Sequence, residues 1–147
     1  MSLGLKRPKL IATDLDGTIV PFDRPISQRT IAAFTSAHEL GIPIYFVTGR
    51  PPRWMRQIRE SFSFGTGICG NGALLYDFHG ENILQSWLIE PSDLTQGAQV
   101  LRKVIPGATF AVENVDGFHR EQRYNPRWDK GQDDQGVSLI EEHLSKP

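Results

Sequence analysis

Three short apolar runs limit what this chain can fold into: residues 9–14 (KLIATD), 42–48 (IPIYFVT) and 67–71 (GICGN). Each has the length of a strand and is too apolar to leave a face in water. Helical stretches separate them, the pattern of strands buried on both sides of a parallel sheet. Between the first two, Ser27 is placed to cap a helix running to about Leu40. Ile31, Ala32, Phe34 and Leu40 lie mostly on one side of it, and Gly41 stops it. Between the second and third, Pro51 and Pro52 suit a helix start, and residues 53–62 (RWMRQIRESF) continue it. This β-α-β-α-β order implies right-handed crossovers and an α/β fold, the N-terminal half of a doubly wound parallel, Rossmann-like core.

After Gly72 the character changes. Residues 73–89 (ALLYDFHGENILQSWLI) read as a hairpin with His79 and Gly80 at its turn. Ser92 is placed to cap a helix through about Val104, residues 109–114 and 118–124 have strand character, and 136–144 (GVSLIEEHL) read as a last helix. Residues 125–136 (NPRWDKGQDDQG) form a polar stretch without periodicity, expected as an exposed loop. Hairpin, helix, strands and helix make an α+β module, and the division is drawn as residues 1–80 and 81–147.

Composition excludes several classes. With 39% hydrophobic and 22% charged residues and a net charge of -1, both signs intermixed, no basic face for nucleic acid stands out. The longest apolar runs fall far short of the roughly 20 residues of a membrane span. The start of the chain (MSLGLKRPK) lacks the apolar stretch of a signal peptide. A single cysteine, Cys69, rules out an internal disulfide and suits a reducing cytoplasm; beside strand residues it reads as a buried structural thiol. Trp54 and Trp87 read as packing residues, and His38, His79, His119 and His143 as surface or turn histidines without metal-ligand spacing.

The first apolar run ends in two aspartates one residue apart, Asp14 and Asp16, followed at once by Gly17 and Thr18. In an open parallel sheet, ligands bind where the carboxyl ends of the strands open into a crevice. Asp14, Thr48 and Asn71 each stand at such an end, which brings a carboxylate, a hydroxyl and an amide toward one spot. Crowded carboxylates raise one another's pKa unless a cation compensates, and a hard divalent ion, Mg2+ above all, meets that need. Such an ion also draws a phosphate oxygen toward Asp14. Gly17 and Gly49 then let backbone N–H groups approach the phosphate, while Thr18 and Thr48 add hydroxyl donors. The chemistry expected is phosphoryl transfer, with Asp14 as nucleophile and Asp16 as general acid and base.

Residues 14–20 (DLDGTIV) resemble the first motif, DxDGT, of the haloacid dehalogenase superfamily. Residues 46–50 (FVTGR) resemble its second motif in the TGR form of Cof-like sugar phosphatases, and residues 69–73 (CGNGA) the turn after the third strand in that branch. The resemblance implies a phosphoric monoester hydrolase acting on a small phosphorylated metabolite, such as a sugar phosphate. It makes Asp14 the nucleophile and Asp16 the general acid/base, with Mg2+ on the Asp14 side chain and the Asp16 backbone carbonyl. Thr48 then binds phosphate, and Arg50 and Asn71 lie near phosphate or substrate. It also implies that residues 1–80 are the N-terminal part of the core and 81–147 the N-terminal part of an α/β cap.

Two later motifs of that family, a lysine and an acidic GDxxND-like cluster, have no clear counterpart; Lys130 and the pair Asp133–Asp134 lie in the polar stretch with no apolar strand before them. The expectation is therefore a chain that stops inside the cap, with the strand of Asp14 left as an open apolar edge. A missing C-terminal half or another chain would then complete the core. Two rival readings stand beside the phosphatase: a phosphomutase or phosphotransferase of the same fold, and a non-catalytic fragment or binding module.

Overall fold

The structure is a computed structural model that describes residues 6–115, 117–126, 134–137 and 139–144. Contacts divide the chain into two compact units, Met1–Leu88 and Ile89–Pro147. In the first, the three apolar runs form β1 (Ile11–Asp14), β2 (Ile44–Val47) and β3 (Thr66–Cys69), paired in parallel. The order β1-β2-β3-β4-β5 leaves β1 at one edge of the described sheet. Helix α1 (Gln28–Glu39) connects β1 to β2. The Ser27 side chain caps it by accepting the Thr30 N–H at 3.1 Å, as its position predicts. Gly41, at φ 73°, ends the helix region in a left-handed conformation that costs a residue without Cβ little.

The helix expected from Pro51 onward is broken. A 3-10 turn (Pro52–Trp54) precedes α2 (Arg56–Ser61), with Met55 between them. The N–H groups of Trp54 and Met55 donate three residues back, to Pro51 and Pro52, each at 3.0 Å. This tighter winding accompanies complete burial of the Met55 side chain.

Behind the sheet the core is aromatic. The Phe46 ring stands 5.0 Å from that of Phe62 and 5.8 Å from that of Phe78. A Cβ on Gly65, already at φ 99°, would fall 2.5 Å from the Phe46 ring, so the residue before β3 must be glycine. Cys69 is fully buried in this cluster, in agreement with a structural thiol.

β4 (Leu74–Asp77) and β5 (Asn82–Ser86) form the hairpin expected from the sequence, but they do not open a second module. β4 pairs antiparallel with β3, Leu74 opposite Cys69, and β5 pairs with β4. A division at 80/81 therefore falls in the turn of a hairpin that belongs to the first sheet. The physical reason is burial: Leu74, Tyr76 and Phe78 share the core of the first unit. Trp87, read from sequence as a packing residue, is 55% exposed, and Trp54 is 43% exposed.

The second unit holds α3 (Pro91–Val104), a sheet of β6 (Ala111–Glu113), β7 (Phe118–Glu121) and β8 (Asp134–Val137), and α4 (Ile140–Leu144). β6 and β7 are antiparallel, β7 and β8 parallel. Glu90 rather than Ser92 occupies the cap position of α3; Pro91 takes the first helical position, where a missing N–H costs nothing. Gly136 and Val137, expected in the last helix, belong to β8, and so does Asp134, expected in a loop. Trp128, Lys130 and Asp133 lie outside the described residues.

A buried carboxylate ties this unit together. Glu121, 4% exposed, accepts the backbone N–H groups of Phe110 and Ile140, each at 3.1 Å, and pairs with Arg102. Arg102 also donates to both oxygens of Glu141, at 2.8 and 2.9 Å. His119, expected at the surface, is 5% exposed on β7.

Two predictions follow from these burials. Desolvation pushes the Cys69 thiol up to about 11, so at pH 8 it is protonated and native protein should resist iodoacetamide until denaturant is added. The Arg102 hydrogen bonds hold the Glu141 carboxyl below its ordinary value, so folding favours the ionised form. That stabilisation is complete above the unfolded value near 4.5 and is lost as pH falls through the lower folded value. Melting temperature measured against pH should fall on the acid side, and Glu141→Gln should flatten that slope while costing about 1–2 kcal/mol at pH 7.

Candidate active site

Because β1, β2 and β3 are parallel and in register, their carboxyl ends share one edge. Asp14 stands opposite Val47, and Val47 opposite Ile68. Leaving β1, the chain turns around Leu15, which is fully buried. The Leu15 carbonyl accepts N–H bonds from Thr18 at 3.0 Å, Ile19 at 3.1 Å and Val20 at 2.8 Å. Asp14 and Asp16, on either side, are thereby held exposed at the sheet edge. Gly17 makes the turn at φ 75°, and a Cβ there would approach the Phe22 ring at 3.2 Å. The Thr18 hydroxyl donates to Asp14 Oδ2 at 3.3 Å.

Thr48, one residue beyond β2, is 4% exposed, and its hydroxyl accepts the Arg50 N–H at 3.1 Å. The turn after β3 closes on it: Asn71 N–H donates to the Thr48 carbonyl at 3.2 Å and Gly70 N–H to the Arg50 carbonyl at 3.0 Å. Three successive residues there are left-handed, Gly70 at φ 59°, Asn71 at φ 57° and Gly72 at φ 98°. Asn71 is the non-glycine residue type that best tolerates this, its side chain substituting for local backbone bonds. Its amide oxygen lies over Gly49, 2.9 Å from where a Cβ would stand, so the absent side chain at 49 makes room for it.

The Arg50 side chain spans from this second loop to the first. Its Nε donates to Asp16 Oδ2 at 3.0 Å and its Nη2 to Asp16 Oδ1. The structure thus groups Thr48, Gly49, Arg50 and Asn71 through hydrogen bonds and packing, joins Asp16 to them through Arg50, and joins Asp14 to Thr18. Among the described residues no hydrogen bond links Asp14 directly to Thr48 or Asn71; the common register alone brings them to one edge. Sequence reasoning missed two neighbours. The Trp54 carbonyl lies 3.5 Å from Arg50 Nη1, and Phe22 is 88% exposed beside Gly17. A backbone acceptor leaves no residue signature, and Phe22 sits in an irregular stretch without periodicity.

Among the described residues no group of three or more His, Cys, Asp and Glu side chains converges as a metal cage. The exposed Asp14 carboxylate and the backbone carbonyl of Asp16 are hard oxygen donors that suit Mg2+, which keeps several waters and takes one or two protein carboxylates plus phosphate oxygens.

A family model for haloacid dehalogenase-like hydrolases matches residues 11–145. The chain belongs to that family. Among curated relatives of this haloacid dehalogenase-like chain, a pyridoxal phosphate phosphatase of Escherichia coli (strain K12) is 30% identical over 94 residues, 63% of this chain and 34% of that protein. An HMP-PP phosphatase of Shigella flexneri is 29% identical over 111 residues, 75% of this chain and 40% of that protein. The chain therefore matches less than half the length of these relatives. Among solved structures, a haloacid dehalogenase-superfamily phosphatase, BT1666 of Bacteroides thetaiotaomicron, superposes with a TM-score of 0.76 at 24% identity, covering 97% of this chain and 56% of that one. The likeness shows the fold. No helix among the described residues is long and apolar enough to cross a membrane.

The left-handed turn can be tested apart from any chemistry. Asn71→Gly should leave stability within about 0.5 kcal/mol, whereas Asn71→Ala should lose about 1 kcal/mol, read from urea unfolding. Equal losses would assign the cost to the amide rather than to backbone conformation.

Proposed function

We propose that this chain carries the nucleophile-bearing half of a Mg2+-dependent phosphatase that hydrolyses small phosphorylated metabolites through an aspartyl-phosphate on Asp14. The observation that carries this reading is the edge where the loops after β1, β2 and β3 meet. It presents two exposed carboxylates beside a buried threonine hydroxyl and a lock of backbone bonds. The relatives' names supply the substrate class: they are phosphatases of pyridoxal phosphate and of HMP-PP.

In this reading Thr18 and Thr48 offer hydroxyls, and the turn at Gly49 offers an N–H group, to the phosphoryl oxygens; the Gly17 N–H, expected from the sequence to do the same, is instead given to the Val20 carbonyl at 2.9 Å. The Asp14 carboxylate attacks phosphorus while the bond to the leaving oxygen breaks, and the bonding pair stays on that oxygen. Asp16, carrying a proton, gives it to the leaving oxygen; it then takes one from the water that attacks the aspartyl-phosphate, and inorganic phosphate departs. The Asp14 carboxylate and the Asp16 backbone carbonyl would hold Mg2+, which would offset charge on the carboxylate and the phosphoryl oxygens. Asn71 and Gly49 shape the wall of the site. The unit Ile89–Pro147 is read as part of a cap that selects the substrate, and further strands, from this chain or another, are read as neighbours of β1 on its free side.

The test is phosphate release by the protein at full length, from p-nitrophenyl phosphate, pyridoxal phosphate and a hexose phosphate. Mg2+ should support turnover and a chelator should stop it. Asp14→Asn should lower kcat by more than about a thousandfold with the fold intact. Undiminished turnover in that variant would overturn the reading.

A further inference from the structure

Resting on that reading, we infer that Arg50 is a positioning residue for the Asp16 carboxylate and not a phosphate ligand. The guanidinium takes both Asp16 oxygens in a fork, through Nε at 3.0 Å and through Nη2. Its third nitrogen, Nη1, faces the Trp54 carbonyl at 3.5 Å. The base of the side chain is equally fixed. The Arg50 N–H donates to the Thr48 hydroxyl at 3.1 Å, and the Arg50 carbonyl accepts the Gly70 N–H at 3.0 Å. A rigid platform at the end of β2 thus reaches across 34 positions of sequence to hold one carboxylate of the first loop.

The energetics favour orientation over stability. The Asp16 side chain is 43% exposed and that of Arg50 21%, and an ion pair so open to water adds little to folding. What a planar two-point fork does supply is direction, because it fixes the plane of the carboxylate as a point charge cannot. Asp16 needs direction. It lies inside the tight turn that the Leu15 carbonyl closes, is two residues from a second carboxylate, and has no other side-chain partner among the described residues. Without the fork it would rotate away from Asp14 and from the leaving oxygen of any ester bound there.

A positioning role makes a distinct kinetic prediction. A residue that aims the proton donor matters when the leaving oxygen needs a proton and matters little when it does not. In the protein at full length, with Mg2+ present, Arg50→Ala should lower kcat on an alkyl phosphate such as glycerol 3-phosphate by about a hundredfold. On p-nitrophenyl phosphate, whose phenolate departs unaided, the loss should stay under about tenfold, with KM within about threefold on both esters. Added guanidinium ion should restore part of the alkyl-phosphate rate. Arg50→Lys, which keeps the charge without the fork, should fall between and serves if the alanine variant does not fold. Equal kcat losses on the two esters, or a raised KM with kcat retained, would overturn the inference and make Arg50 a phosphate ligand.

If the wild-type protein hydrolyses neither ester, the phosphatase reading falls by itself, and the fork is judged by proton exchange at Arg50 Nε in 15N NMR spectra. Slow exchange that becomes fast in Asp16→Ala supports the fork, and equal exchange in the two proteins overturns it.

Discussion

Between its two aspartates the first loop is held by one residue. Leu15 drives its side chain into the core and gathers three backbone N–H groups on its carbonyl. The apolar anchor and the polar collar act together. Burial of the leucine contributes about 1.5–3 kcal/mol and fixes where the loop attaches, while the three N–H bonds fix how tightly it curls. Alternation of the backbone then leaves Asp14 and Asp16 no choice but the solvent side. A pair of like charges is tolerated there because water, Thr18 and Arg50 share the load.

The second and third loops use different physics for the same end. After β2 a threonine is buried rather than an aliphatic residue, and its hydroxyl is satisfied by the backbone two residues on. After β3 the chain spends three left-handed residues in a row to fold back on that threonine. Neither loop rests on apolar anchoring. The edge is therefore a lattice of backbone bonds over an aromatic floor, and side-chain size matters there chiefly at Gly49, where a Cβ would crowd the Asn71 amide oxygen.

The parallel half was legible because its signals are local: apolar runs of strand length, a serine cap, and glycines and prolines at the breaks. Residues 14–20, 46–50 and 69–73 also marked the candidate site, since each spans the carboxyl end of a strand. What escaped the sequence depends on distant partners. The hairpin β4–β5 reads alike whether it closes the first sheet or opens a second, and only the pairing of Leu74 with Cys69 decides. Burial of Glu121 and His119 could not be read from FHREQRY, because the cation that makes the glutamate tolerable, Arg102, lies 19 residues away on α3. Likewise Arg50 looked like an anion-binding residue at a strand end; its fork on Asp16 is a tertiary fact.

β1 lies at the rim of the described sheet, and it carries Asp14 at its last position. A rim strand has a ladder on one flank only, so it frays sooner than β2 or β3, which are gripped from both sides. For most strands such breathing concerns stability alone. Here it displaces the carboxylate itself, so whatever lies along the outer flank of β1 governs how sharply that oxygen is aimed.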